Sequence, residues 1–407
     1  MTLLEFFTES HIDNIAACLR LRPESMIIVG DIDKMRTPVK RYRQLLKQRK
    51  QRTEITMCDV QGKDLGQTRK VLNRLVQSDE QMVIDLTGGD ETALLAVGAA
   101  LAELDADNLQ RIRVEKFDHE HGVVIDCLNG NRSFTAKTIT LTVEELISLH
   151  GGSIHSSTYQ PPADCRCSEL DGLWDIVSHS PHSWNKSITH LNEFESRSGF
   201  KTRIHLPLGH LRQDIHDFAE KEQAVRDLLD KLEKAGVIYN NSTDSLLDYT
   251  YRSAMLRYCT LKAGNALEIK TLLEGRSALE NGRPMFHSCQ TSVNIDWGGE
   301  AYDPEKDIAE TSNEIDAVLM HGSTALFVSC KNGTIDEEEL YKLHTVATRF
   351  GGPYAKKMLI ATELDRRSIR AYQAFTQRAW DMDIFLVPDA AELSPEEWPQ
   401  VFMKAMV

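Results

Sequence analysis

The sequence lacks an apolar run of about 18 residues, and its amino terminus has no basic region before a hydrophobic stretch. We therefore expect neither a membrane span nor a signal peptide. It also lacks a repeated cysteine spacing, and several of its eight cysteines sit in apolar runs, which favours reduced thiols and a cytoplasmic protein. Positive charge is scarce, because 61 acidic residues outnumber 47 Lys and Arg. This excludes a broad basic surface, so a polyanion would bind in a local groove or through metal ions.

The chain length of 407 residues is too great for one hydrophobic core and indicates two or three domains. Residues 1 to about 130 alternate short apolar strands with helical patterns, which predicts a Rossmann-like α/β domain with a parallel sheet. Ligands bind such sheets beyond the carboxyl ends of the strands. From about residue 255, a second alternation predicts another α/β domain. We place the domains at residues 1–150, 151–250 and 251–407.

The middle of the chain has a different composition. Residues 150–200 are rich in Gly, Ser and Pro, which predicts a linker or loosely structured surface. The following stretch QAVRDLLDKLEKAGVIYN has leucines at helical spacing and Gly236 before a short strand. This order is typical of a winged-helix-like segment, but it suits any helix that ends on Gly before a strand. Both interpretations stay open.

Residues 313–331, NEIDAVLMHGSTALFVSCK, form two alternating apolar runs joined by a turn centred on Gly322-Ser323. In such a hairpin, residues whose numbers add to 645 face one another, so Asp316 lies opposite Ser329 and Glu314 opposite Lys331. Side-chain alternation then predicts one polar face and one apolar face. The polar face holds Glu314, Asp316, Ser329 and Lys331, and the apolar face holds Ile315, Ala317, Val328 and Cys330.

A carboxylate beside a lysine is what metal-assisted phosphodiester cleavage requires. The carboxylate binds a hard divalent cation, the cation polarises the phosphoryl group and acidifies a water, and the lysine orients that water or offsets charge. Glu268 in GNALEIK is a candidate second carboxylate, because Leu267 and Leu272 place its helix against the sheet. The alternative is a solvated polar hairpin face with no ligand.

These residues resemble the restriction-endonuclease-like nucleases, whose pattern is Asp at one strand end and then Asp or Glu, any residue, Lys on the next strand. Asp316, Lys331 and the helix residue Glu268 match that pattern, while Ser329 stands where an acid is expected. The resemblance implies a Mg²⁺ or Mn²⁺ site. Its ligands would be Asp316, the carbonyl of Cys330, and Glu268 or Glu314.

A second candidate site lies in DLTGGDETALLAVGAA, where a buried strand breaks at Thr87-Gly88-Gly89 and a helix starts at Asp90 or Glu91. Glycines allow close approach of a ligand to the backbone, free helical N–H groups favour a phosphate, and Thr87 offers a hydroxyl. The loop Thr8-Glu9-Ser10-His11 follows the first strand, so both loops should lie at one edge of the sheet. The alternative is an N-capped turn without a ligand.

The amino-terminal domain is similar to the CARF domains, which sense cyclic oligoadenylate in type III CRISPR defence through a Thr-Gly-Gly loop after a central strand. Asp90-Glu91 replaces the Thr-Lys that often follows those glycines. Asp31, after the second strand, and Thr92 complete the residues that the resemblance places at the ligand.

Together, the two resemblances are those of single-CARF ancillary nucleases of type III CRISPR systems, over roughly residues 1–130 and 255–390. They imply a homodimer that binds a cyclic oligoadenylate, expected to be cyclic tetra-adenylate, across its two-fold axis and then cleaves DNA and/or RNA. Two other functions stay open. One is a ligand-responsive DNA-binding transcriptional regulator without cleavage activity, and the other is a degenerate nuclease that only binds.

Overall fold

The computed structural model describes residues 1–60, 64–77, 81–119, 122–129, 132–135, 139–155, 159–199, 201–209, 211–298, 312–333, 335–364 and 368–407. It is a mixed α/β structure with several sheets, as the sequence predicts. Within these ranges no helix is both long and apolar enough to cross a bilayer. All eight cysteines fall inside them, and each is a free thiol.

The first sheet has seven strands in the order β3-β2-β1-β4-β5-β6-β7. The first five are parallel and are joined by helices, whereas the last two pair antiparallel. This confirms the predicted Rossmann-like arrangement. The strands are β1 (Thr2–Phe6), β2 (Ser25–Gly30), β3 (Glu54–Asp59), β4 (Met82–Asp85), β5 (Ile112–Asp118), β6 (Val123–Asp126) and β7 (Arg132–Thr135). The helices are α1 (Asp13–Leu21), α2 (Ile32–Gln48), α3 (Leu65–Val76), α4 (Glu91–Leu101), α5 (Ala106–Gln110) and α6 (Val143–Leu149).

The second large sheet has six strands in the order β18-β17-β16-β15-β14-β8. Its strands are β8 (Ser153–Ile154), β14 (Ser288–Asp296), β15 (Ser312–His321), β16 (Thr324–Lys331), β17 (Lys356–Ala361) and β18 (Ile384–Val387), and β12 (Leu279–Glu280) pairs with β13 (Arg283–Pro284) in a separate ribbon. The helices are α11 (Ala254–Cys259), α12 (Asn265–Ser277), α13 (Glu337–Gly351), α14 (Ile369–Asp381) and α15 (Glu397–Met406). Helix α12 packs on one face of the sheet and α13 on the other.

The predicted linker at residues 150–200 is wrong for its second half, where two helices pack into a hydrophobic core. Pro181 occupies the first turn of the second helix, where a missing N–H is harmless, and Trp174 and Trp184 are buried. The Ser and Pro residues around position 180 thus mark the junction of two helices and not a linker. The elements are α7 (Asp171–His179), α8 (Pro181–Glu195), β9 (Arg203–Pro207), α9 (Leu211–Asp214), α10 (Phe218–Lys234), β10 (Ile238–Asn240) and β11 (Leu246–Tyr251).

Strands β9, β10 and β11 form a three-stranded antiparallel sheet against these helices. The order helix, strand, two helices, strand, strand is that of a winged helix. A buried ionic group holds the segment to α11: Glu195 accepts hydrogen bonds from the hydroxyls of Tyr249 (2.7 Å) and Tyr251 (2.8 Å) and pairs with Arg257 (2.7 Å).

The two large sheets share one hydrophobic core. Residues of β1, α1 and α2 belong to the same buried cluster as residues of α6, β15, β16 and α13. Aromatic contacts cross this junction, since His119 stacks on Tyr354 at 4.1 Å and His11 meets His150 edge-on at 5.2 Å. The amino-terminal and carboxyl-terminal sheets therefore pack directly together.

Candidate functional site

The hairpin of β15 and β16 has the predicted register. His321 pairs with Thr324, and the backbone ladder continues to Ala317 opposite Val328, so the paired numbers add to 645. One step further, the Asp316 carboxylate meets the other strand: its Oδ2 accepts a hydrogen bond from the Cys330 backbone N–H at 2.6 Å and one from Ser329 Oγ at 3.3 Å. The sequence thus places Asp316 beside Ser329 correctly.

The predicted face of Ile315 is wrong. Ala317, Val328 and Cys330 share the core beneath α12, as expected, but Ile315 packs in the other cluster, on the side of α13. Strand β14 is irregular at the same level, since Ser292, between the pairs Thr291–Ala317 and Val293–Ile315, has a left-handed φ of 48°. A residue in this conformation interrupts the regular alternation of side chains along a strand pair. Asp316 therefore lies at the point where the alternation changes.

A small pocket opens at this point on the α13 side of the sheet. It contains four of the residues predicted from the hairpin, and α13 adds two charged side chains that the sequence reasoning missed. The lining residues are Glu314, Ile315, Asp316, Ser329, Lys331, Glu339, Lys342 and Leu343. Lys331 Nζ pairs with Glu339 Oε2 at 2.7 Å. The spacing of 339, 342 and 343 on one helix face was a signal that could have identified them.

Glu268 approaches the same point from α12. Its Oε2 accepts a hydrogen bond from Ser292 Oγ at 3.1 Å, and Ser292 Oγ also contacts the hydroxyl of Tyr258 at 2.7 Å. Burial, and then the nearby charge of Asp316, raise the pKa of Glu268 to about 8, although the Ser292 hydrogen bond opposes the shift. Glu314 contributes in the same direction. Helix α12 therefore brings its glutamate within electrostatic range of the hairpin carboxylates.

Asp316 and Lys331 shift each other's pKa. Burial raises the pKa of Asp316, while Lys331 and the Cys330 N–H limit the increase. Burial lowers the pKa of Lys331, but Asp316 and Glu339 outweigh it, so the net pKa of this lysine is raised and its ammonium form is favoured. The pocket therefore combines a stabilised cation with carboxylates that repel one another.

The oxygen atoms around Asp316 are possible ligands of a divalent cation. Within the described ranges, no three His, Cys, Asp or Glu side chains are already gathered at a distance suited to a metal ion. The chemistry nevertheless fits, because Asp316 and Glu268 are oxygen donors whose pKa is raised by burial and by neighbouring carboxylates, and a bound cation would relieve that repulsion. The backbone N–H of Cys330 donates to Asp316, and its thiol lies in the core, 3.6 Å from Thr271 Oγ1. Its role as a carbonyl ligand remains a prediction.

Asn332, directly after Lys331, ties the pocket to three other elements. Its amide nitrogen donates to Asn185 Oδ1 on α8 at 2.8 Å and to the Ala263 carbonyl at 3.1 Å, and its Oδ1 accepts from Thr362 Oγ1 at 2.7 Å. Asn185 in turn donates to the Asn332 carbonyl at 2.8 Å. The end of β16 is therefore fixed to the middle segment.

The two predicted loops of the first sheet meet at one edge, as expected. Strands β1 and β4 are parallel neighbours with Glu5 opposite Asp85, so their following loops emerge together. A Cβ on Gly88 would lie 2.7 Å from the Phe6 carbonyl and 2.9 Å from Thr8 Cγ2. Gly88 is thus required by the contact between the two loops.

Several of the predicted sensor residues already have structural partners. The Thr87 hydroxyl donates to Asp85 at 2.5 Å and accepts from the Phe117 N–H at 2.8 Å. Asp90 caps α4 and Asp31 caps α2 through hydrogen bonds to backbone N–H groups. The Thr87 side chain is therefore occupied, and the capping alternative describes both aspartates in this structure.

The remaining predicted sensor residues line the same edge. Thr8 exchanges hydrogen bonds with the Asn14 side chain, and Ser10 Oγ is buried. His11 Nδ1 lies 3.0 Å from the Tyr42 hydroxyl, and burial lowers the pKa of His11 to about 3, so this ring is neutral. Glu9 and Glu91 are exposed, whereas Gly89 and Thr92 are partly buried.

Comparison with protein-family models found no match, and neither did comparison with curated proteins. Solved structures do match. Protein VC1899 from Vibrio cholerae aligns with a TM-score of 0.71 at 15% identity, over 100% of this chain and 97% of its own. Can2 from Sulfobacillus thermosulfidooxidans, solved in complex with cyclic tetra-adenylate, aligns with a TM-score of 0.65 at 17% identity, over 100% and 99%. The chain therefore has the fold of Can2 and VC1899 along its full length, which confirms the fold that the sequence resemblance implied.

Proposed function

We propose that this protein is a metal-dependent nuclease of type III CRISPR antiviral defence, activated by cyclic oligoadenylate and cleaving DNA and/or RNA. The observation that carries the proposal is the convergence of Asp316 and Lys331 at the end of one strand pair, within electrostatic range of Glu268. The same convergence is the core of the restriction-endonuclease-like pattern. The fold shared with Can2 supports the sensor half of the proposal.

Asp316 and either Glu268 or Glu314 would hold Mg²⁺ or Mn²⁺, together with the Cys330 carbonyl. When bound, such a cation polarises a phosphoryl oxygen and acidifies a water. Lys331 would offset the negative charge that develops on the scissile phosphate, and its raised pKa keeps it protonated for that task. Because the pKa of Glu268 is about 8, this carboxyl is mostly protonated at neutral pH until a cation lowers its pKa.

The activator would bind at the edge formed by the Thr8–His11 and Thr87–Gly89 loops. A ligand would approach the backbone at Gly89, which carries no side chain, and the start of α4 would offer a phosphate its N–H groups other than that of Ala93, which Asp90 caps. Two chains would face the ring across a two-fold axis, because a symmetric ring suits an isologous dimer. Can2 was solved with cyclic tetra-adenylate, so that ring is the activator we propose first.

Cleavage assays on the purified protein test the proposal. DNA and RNA substrates are incubated with Mn²⁺, with and without cyclic tetra-adenylate, and activity is expected only with both. Asp316→Asn and Lys331→Met should each lower the rate by about 100-fold or more, because each removes a charge that acts on the reacting phosphate. The exposed Asp230→Asn on α10 is the control and should keep full activity.

Other results of these cleavage assays would support a different site or a different function. Activity retained in both variants rejects the site, and loss confined to Glu268→Ala moves the site to α12. The winged-helix order of elements in the middle segment favours a second candidate function, a ligand-responsive DNA-binding regulator. A regulator would shift a DNA fragment in a gel without cutting it. A protein that neither cuts nor shifts nucleic acid is a degenerate nuclease.

A further inference from the structure

The position of Ser329 leaves the proposed cation site short of one carboxylate. A serine hydroxyl is neutral, and this one is already used, since Ser329 Oγ donates to Asp316 Oδ2 at 3.3 Å. The side chain is also buried, at 6% exposure. Hard divalent cations are held mainly by anionic oxygens, so a neutral donor with its proton directed at Asp316 is a poor ligand.

Glu339 lies where it can supply that charge. It belongs to the first turn of α13, and its Oε2 is 2.7 Å from the Lys331 ammonium, within the pocket that Asp316 and Ser329 also line. Its side chain is 29% exposed, so an ion can reach it from solvent. Val328 and Cys330 face α12. Because side chains alternate along a strand, Ser329 and Lys331 face α13.

The neighbouring acids of α13 do not share this position. Glu337 pairs with Arg378 on α14 at 3.1 Å, and Glu338 is exposed on the helix surface. Glu268 approaches from the opposite face of the sheet, where Ser292 holds it at 3.1 Å. Of the three acids in the first turn of α13, Glu339 is therefore the one directed at the pocket.

We propose that Glu339 is the carboxylate that takes over the role vacated at Ser329, and that it forms the divalent-cation site of the pocket together with Asp316. This inference rests on the proposed nuclease function. Without a cation, Glu339 forms an ion pair with Lys331. With a cation bound, its carboxylate turns to the ion and Lys331 becomes available to the substrate phosphate.

Two measurements on Glu339→Gln test this assignment, with Glu338→Gln as the matched control of the same charge change in the same helical turn. Calorimetry of Mn²⁺ binding to the substrate-free protein should give an affinity about tenfold or more lower for Glu339→Gln and unchanged for Glu338→Gln. Losing even a residue that only hydrogen-bonds to a metal ligand lowers metal affinity by about 10- to 100-fold. Cleavage in the presence of Mn²⁺ and cyclic tetra-adenylate should fall in parallel. Thermal melting checks that both variants fold.

A second background separates a cation ligand from a residue that only positions Lys331. In Lys331→Met protein, adding Glu339→Gln should still weaken Mn²⁺ binding by the same factor. Unchanged Mn²⁺ affinity in that background means that Glu339 acts through Lys331 alone and overturns the assignment. If wild-type protein cleaves and Glu339→Gln cleaves equally well, the inference fails while the nuclease function stands. If wild-type protein cuts neither DNA nor RNA, the proposed function itself fails.

Discussion

The raised pKa of Glu268 predicts that this glutamate destabilises the metal-free protein at alkaline pH. The pKa of Glu268 in the folded protein is about 8, against an ordinary value of 4.5. The folded state therefore holds this proton more tightly than the unfolded state. Its contribution to stability is fully present below pH 4.5 and is lost as the pH rises through 8.

The size of the effect follows from the shift. At 1.36 kcal/mol per pKa unit, raising the pH from about 5.5 to about 8 removes roughly 3 kcal/mol of folding free energy. The carboxyl is coupled to Asp316 and keeps some solvent contact, so the observed change should be somewhat smaller. Glu268→Gln stays neutral at every pH. We expect the melting temperature of Glu268→Gln to exceed that of the wild type at pH 8, and this excess to be about 3–6 °C larger than at pH 5.5.

The assay is differential scanning fluorimetry in chelator-containing buffer at the two pH values. Glu338→Gln, which alters an exposed acid, serves as the control and should show no pH-dependent difference. Adding Mn²⁺ at pH 8 should raise the melting temperature of the wild type more than that of Glu268→Gln. In the wild type the cation relieves the repulsion between Glu268 and Asp316, whereas in Glu268→Gln the neutral amide has already abolished that repulsion. An equal temperature difference between Glu268→Gln and wild type at both pH values would refute the argument.

Two further predictions concern packing. Gly88→Ala should destabilise the protein by about 1–3 kcal/mol and weaken cyclic tetra-adenylate binding, because its Cβ would lie 2.7 Å from the Phe6 carbonyl. The control is Gly98→Ala on α4, whose added Cβ would meet nothing within 4 Å. It should leave stability unchanged or raise it by up to about 1 kcal/mol. A similar loss of stability in both variants would disprove the steric explanation. Arg257→Met should lower stability by about 3–5 kcal/mol, measured by urea denaturation, because it leaves Glu195 buried without its cation. A change below about 1 kcal/mol would contradict that charge assignment.

The hairpin register could be predicted because it depends only on residues close together in the sequence. A period of two residues and a Gly-Ser turn fix which residues pair, and so Asp316 came to lie beside Ser329. The same locality explains the error at Ile315. The reversal coincides with the left-handed backbone of Ser292, a serine on another strand whose conformation no sequence pattern reveals.

The parts that sequence reasoning missed depend on how elements pack in three dimensions. Glu339 follows Lys331 closely in the chain but reaches it only because α13 packs across the sheet, and Asn185 reaches Asn332 across 147 positions of the chain. The misassigned linker has a compositional cause. Small and turn-forming residues at the ends of α7 and α8 outnumbered the few buried aromatic residues, such as Trp184, that give these helices a core.

Helix α13 runs from the proposed cation site towards the proposed sensor site. Its first turn carries Glu339 to Lys331, and its last residue, Gly351, packs so closely on Phe327 that a Cβ there would lie 2.6 Å from that ring. The next residue, Gly352, faces His150, which contacts His11 of the sensor loop. From Glu339 to Gly352 a helix spans about 20 Å. A continuous series of packed contacts therefore joins His11 to the ion pair of Glu339 with Lys331, with α13 as its longest link.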